Sequence, residues 1–170
     1  PPYSDPVPGD DDDPMDLLRT RLATAAAAPL ITFYETRTGE RTELSVATFT
    51  TWVAKISHLL RDDLGLAPGD RVGLLTRPHW LSLGVCAGVW AAGCTAVLDL
   101  VPGEPAELAA VAVTSLDPDV LTHPPVSTAE EVLAVSTRPM AAPYDEELPP
   151  GVTDLVAQAR GHPDALVVTP

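Results

Sequence analysis

A chain of 170 residues is long enough for one domain that buries roughly 70% of the surface its unfolded form would expose, and a content of 45% hydrophobic residues is globular. The formal net charge of −14, from 24 acidic and 10 basic residues, gives a surface that repels phosphate backbones and anionic headgroups, so nucleic acid and membrane are excluded as expected partners.

Residues 1–14 (PPYSDPVPGDDDDP) hold five of the acids and no base. Proline and aspartate with little to bury predict a flexible leader, with Met15 as a candidate natural start. Pro14 suits a first helical turn with Asp13 as its cap, and the helix carries Leu17, Leu18 and Leu22 before stopping at Pro29. Leu30 to Tyr34, a Gly39 turn and Arg41 to Leu44 give a hairpin signal. Ser45 then opens the strongest helix. Phe49, Trp52, Val53, Ile56, Leu59, Leu60 and Leu64 share one face, with Thr51, Lys55, His58 and Asp62 opposite, until Gly65 ends it.

After the Pro68-Gly69 turn, Arg71 to Leu75 reads as a short apolar strand. Pro78 restarts a helix, His79 to Ala92, that is apolar nearly all round and therefore expected to be covered on several sides. Gly84 and Gly88 allow another backbone to come close, Gly93 caps the helix, and Thr95 to Leu98 is the next buried strand. Cys86 and Cys94 then lie about 12 Å apart along helical rise, beyond the 7 Å or so that a disulfide spans, so both are read as small apolar residues. A helix from Pro105 through Val111 and Val113 and a strand Val120 to Thr122 are expected next.

Ser127 and Glu130 suggest one helical turn before a strand from Val132 to Val135. Residues 137–150, with four prolines, are expected to be an irregular connection over the surface. A helix from Asp154 to Arg160 and an extended run from Ala165 to Thr169 complete the chain. Strands alternating with helices at this spacing predict an α/β fold, a mostly parallel sheet with helices on both faces, over residues 15–170 as one domain.

From Pro29 to Val101 the sequence resembles the start of the AMP-binding superfamily of acyl-CoA synthetases, luciferases and peptide-synthetase adenylation domains. Leu66-Ala67-Pro68-Gly69-Asp70-Arg71-Val72 is similar to that family's "GV-x-PGDRV", and Ala91 to Val97 (AAGCTAV) to its "AG-A-VVP" segment. Glu107 to Thr122 stands where the family has a helix and a "-VLVT-" strand, and Asp164 to Thr169 where it has the strand before its "TSGTTG-PKG" loop. The resemblance implies the fold of the N-terminal subdomain, in a truncated short form. In the family that loop wraps the phosphates of ATP, as glycine-rich backbones do elsewhere. It and the family's later Thr-Glu segment, ribose-binding Asp and catalytic Lys have no counterparts here. ATP, AMP and CoA are cofactors of the relatives and none is assigned to this chain; the implied role is a degenerate domain that is not catalytic alone and retains weak acyl or nucleotide binding.

An open parallel sheet binds ligands beyond the carboxyl ends of its strands. The residues expected there are Thr76, Arg77 and His79 after one strand, Asp99 after the next, and Thr122 and His123 after a third. Arg77 beside a helix start could hold an anion, although a solvated loop with a capping role is the commoner meaning of such a pair. Asp99 and His123 could act as an acid–base pair if neighbouring strands bring them together, against the plainer reading of a strand-end Asp bonded to a loop. Trp52, Trp80 and Trp90 could line an acyl or adenine pocket, but their helical positions favour core packing. His58 and His162 are read as lying on exposed turns or polar faces, with no role. The expected setting is cytoplasmic, with a homodimer, a protein partner, the chain's own segment 137–150 or further C-terminal sequence covering the face that the full family packs against a second subdomain. A protein-interaction module that keeps the fold without the ligand is the alternative reading.

Overall fold

The computed structural model describes residues 13–167, so most of the expected leader lies outside the described residues. Asp13 caps the first helix, α1 (Pro14–Ala25), by accepting the Met15 N–H at 2.8 Å. The hairpin forms as β1 (Pro29–Glu35) and β2 (Glu40–Ser45), antiparallel to each other. Ser45 accepts the Thr48 N–H and starts α2 (Val46–His58), whose last turn, Leu59–Asp63, widens to π geometry. Gly65 follows at φ +68°, a left-handed conformation that ends the helix without a Cβ penalty.

A five-stranded parallel sheet follows: β3 (Arg71–Leu75), β4 (Thr95–Val97), β5 (Ala110–Val113), β6 (Glu131–Ala134) and β7 (Val152–Asp154), in the spatial order β4-β3-β5-β6-β7. The β3–β4 crossover is α3 (Trp80–Ala91), as its all-apolar sequence requires. At Gly88 an added Cβ would stand 2.6 Å from Ile56 Cγ2, so this glycine is what lets α2 and α3 pack in contact. Val72, Leu74, Ala110, Ala112, Leu133 and Val135 send one face of the sheet into the core formed with α1, α2, α3 and α5 (Leu155–Ala159). The opposite face carries Val97, Val111 and Val113 against Leu108, Val126 and the short helix α4 (Pro118–Leu121).

Three expectations are corrected. Residues 110–113 form the third strand in chain order of the parallel sheet rather than the end of a helix, because Ala110, Val111, Ala112 and Val113 are all fully buried between the two layers. Val120 to Thr122 is not a strand. Asp117 accepts the Asp119 N–H at 2.9 Å and Pro118 sits in the first turn, so cap chemistry makes this run α4 despite its β-forming residues. Residues 165–167 are not in a strand, and the rest of that expected run lies outside the described residues. Strand β7, unforeseen, adds an edge ahead of α5.

Residues 137–150 form no helix or strand longer than one turn. They are anchored by Ser136 Oγ donating to the Ala142 carbonyl at 2.6 Å and by the Tyr144 N–H donating to Asp154 at 2.8 Å. The two cysteines are free and buried.

Candidate functional site

Thr76, Arg77 and His79 follow β3 and stand at the mouth of α3. Two residues not foreseen join them. The Arg77 backbone N–H donates to Thr114 Oγ1 at 3.1 Å, and its guanidinium donates to Thr137 Oγ1. Thr114 directly follows β5, and Thr137 lies three residues beyond the end of β6, so β5 and β6 each contribute a threonine to the loop after β3. Ser82 Oγ returns a bond to the Arg77 carbonyl at 3.0 Å, which fixes the turn between strand and helix.

His79 caps α3. Its Nδ1 accepts the Leu81 N–H at 3.2 Å, and its ring meets Phe33 edge-on at 4.7 Å. Only 6% of the residue is exposed, and this burial, aided by the Arg77 charge, holds its pKa below the ordinary histidine value against the opposing pull of Glu40 and Glu35. The neutral ring is the form that can accept at Nδ1. Trp80, 2% exposed, packs against Trp52 at 5.9 Å. Its Nε1 has no hydrogen-bond partner among the described residues. A cleft of about 420 Å³ opens here. Thr76, Arg77, His79 and Ser82 are among its polar lining, and Phe33, Leu74 and Leu98 among its apolar wall.

The other predicted residues lie apart from this cluster. Asp99 is exposed past the end of β4. Thr122 and His123 follow the helix α4 instead of a strand, and the His123 ring sits 2.8 Å from the Asp119 carbonyl. No hydrogen bond or ion pair joins Asp99 to His123 among the described residues, although their loops meet where the Gly103 N–H donates to the Pro124 carbonyl at 2.7 Å. Trp52 and Trp80 pack as core residues, whereas Trp90 is 42% exposed, because α3 turns that position away from α2.

His58 and His162 are less exposed than their polar surroundings suggested, at 12% and 14% of their side chains. Their rings stack in parallel at 6.3 Å, each bonded to a carboxylate, Asp62 at 2.8 Å and Asp63 at 3.0 Å. Lys55 Nζ pairs with Asp164 at 2.6 Å and donates to the Arg160 and His162 carbonyls. This polar clasp straps residues 160–167 across α2. A chain-order reading could not find it, because the partners lie about a hundred residues apart.

The cluster at Arg77 offers one fixed cation, a capped helix start and an apolar cleft. Among the described residues, none of its hydrogen bonds joins a nucleophile to a base.

The fold is that of the N-terminal subdomain of acyl-CoA synthetases. The chain is similar to an acetoacetyl-CoA synthetase from Streptomyces lividans, with a TM-score of 0.70 and 19% identity, covering 89% of this chain and 25% of that one. It is also similar to an acyl-CoA synthetase from Brucella canis, with a TM-score of 0.67 and 18% identity, covering 86% and 27%. An anthranilate CoA ligase solved with anthranoyl-AMP gives 0.68 and 17%, covering 91% and 29%. Among curated proteins, one from Mycobacterium tuberculosis, named only by the number of its family, is 38% identical over 151 residues. That match covers 89% of this chain, which spans 60% of the relative's length. No family model matches the sequence. Among the described residues no helix is long and apolar enough to cross a membrane.

Proposed function

We propose that residues 13–167 are an adenylate-forming-type domain that does not catalyse by itself and keeps a weak site for an acyl or nucleotide ligand at Thr76, Arg77 and His79. The observation that supports it is the cleft in which Arg77, held by Thr114 and Thr137, faces an apolar wall beside the start of α3. A helix start and a fixed guanidinium together favour an anionic group there. Asp99, Thr122 and His123 belong to a second, more exposed edge where a larger ligand would extend.

Thermal shift with ATP, AMP, CoA and an acyl-adenylate analogue tests this. A ligand at 100 times its Kd stabilises by about 2.7 kcal/mol, so even weak binders register. The Arg77→Gln variant should lose the response. No shift with any of the four would reject the ligand site, and carboxylate-dependent pyrophosphate exchange lost on mutating Arg77 would reject the non-catalytic role.

A second reading, an assembly module that keeps the fold without the ligand, is favoured by Leu98 and Val101, which stand 65% and 51% exposed on the loop after β4. Large apolar side chains left together in water mark interaction surfaces, and a twofold homodimer is the commonest form. Sedimentation over a concentration range separates it from a monomeric ligand binder.

A further inference from the structure

Residues 160–167 cross α2 on a stripe of three basic side chains. Lys55, His58 and Arg61, three residues apart, each meet a main-chain carbonyl of that strap. Lys55 Nζ donates to His162 at 2.6 Å, His58 Nε2 lies 3.2 Å from the Ala165 oxygen, and Arg61 donates to Val167 at 3.0 Å. Lysine and arginine keep their donors through the physiological range, whereas an imidazole gains and loses one between about pH 5 and 8. The middle fastening is the one that titrates.

Both nitrogens of His58 face acceptors. Nδ1 stands 2.8 Å from the Asp62 carboxylate while Nε2 meets the Ala165 carbonyl. An imidazole satisfies two acceptors at once only when it carries both protons. A neutral ring sets a lone pair against one of them, either the strap carbonyl or the carboxylate. The Arg61 guanidinium, 3.0 Å from Nδ1, is the donor to which a bare Nδ1 turns.

The surrounding charges accommodate the extra proton. Lys55, Arg61, Asp62 and Asp63 come from α2 and its π turn, and Asp164 comes from the strap. Arg160, at the end of α5, is turned to the Ala141 carbonyl at 2.9 Å. Three carboxylates thus stand against the charges of Lys55 and Arg61. His162 stacks on His58 and bonds Asp63, a bond that a neutral ring also makes, and no hydrogen bond reaches its Nδ1 among the described residues.

We infer that residues 160–167 form a pH-sensitive strap, which one proton on His58 fastens across α2 and which loosens as that proton is lost. Closure takes up the proton, so acid favours it and rising pH weakens it. The His58 hydrogen bond holds the Asp62 carboxyl below its ordinary value, so this carboxylate stays charged throughout and keeps selecting the charged ring. None of these residues lines the cleft at Arg77.

Amide hydrogen exchange, corrected for intrinsic rates and compared at about pH 5.5 and about pH 8, tests this. The Gly161 and His162 amides donate to the Gln158 and Ala159 carbonyls inside the strap. Their protection should fall about three- to tenfold at the higher pH, the difference between a charged and a neutral hydrogen bond. Amides of β3 should hold or gain protection, since His79 acts on the whole fold in the opposite sense. His58→Gln, whose amide still donates to Ala165 but does not titrate, should make strap protection independent of pH, and His162→Gln should keep most of the change. Ring-nitrogen shifts in the unmodified chain give a second reading that needs no variant: at the lower pH both nitrogens of His58 should carry protons. Flat strap protection, a His58→Gln chain that keeps the full change, β3 amides that fall with the strap, or a bare His58 nitrogen at the lower pH would each overturn the proposal.

Discussion

The two halves of this domain are built on different scales. Residues 29–101 use two long helices, α2 and α3, locked together at Ile56 and Gly88 over β3 and β4. Residues 105–154 build three strands of three or four residues with one-turn helices and proline-rich connections between them. The first half gains its rigidity from large side chains meeting across helices. The second depends on backbone pairing, small residues such as Ala110 and Ala112, and individual side-chain caps. The polar cluster falls on the seam, where Arg77 of the first half is held by Thr114 and Thr137 of the second.

That contrast makes graded predictions. Ile56→Ala opens a cavity between α2 and α3 and should cost about 2–5 kcal/mol in chemical denaturation. An equivalent truncation across the seam, Val111→Ala, removes less volume from the layer formed with Leu100 and Leu108. It should cost about 1–3 kcal/mol by the same measurement. A larger loss at 111 than at 56 would invert the proposed ranking of the halves.

Asp154 tests the capping devices of the second half. It accepts the Ala157 N–H at 3.0 Å at the head of α5 and the Tyr144 N–H at 2.8 Å. Asp154→Ala should destabilise by about 1–2 kcal/mol and raise hydrogen exchange around residue 144 while leaving α2 protected.

The smallest effect is confined to a pH window. His79 has a folded pKa below its unfolded value of about 6.5, so the unfolded chain binds the proton more readily. The stability from the neutral ring is complete above pH 6.5 and declines as pH falls from there through the lowered folded value. His79→Asn, which keeps a capping acceptor, should flatten the stability profile below about pH 6.5. An unchanged slope in that window would show that His79 does not carry it.

The same division decides what could be read before any coordinates. The first half was legible because Phe49 to Leu64 repeats at helical spacing over several turns, and Ser45, Gly65, Pro68 and Gly93 punctuate it with residues suited to caps and turns. In the second half a run such as Ala110 to Val113 is too short to show a period, and the helix-forming residues before it suggest the wrong one. At Val120 to Thr122 the branched side chains pointed to a strand, but the Asp117–Pro118 pair outweighed them. Arg77 and His79 could be placed at the strand end because they follow a correctly read strand. Thr114 was hidden by the misplaced β5, and the unpartnered Trp80 indole is a property of packing that no linear pattern encodes.

Lys55 is the only lysine of the chain, and its ammonium is committed to Asp164 and two carbonyls at the strap of residues 160–167. Acetylation at this position would remove the positive charge and leave Asp164 without its ion-pair partner. Amine-directed reagents therefore meet one side-chain target, and its reactivity reports whether the strap is fastened. A single-site label of that kind turns an ordinary coupling reaction into a gauge of how often residues 160–167 lift from α2.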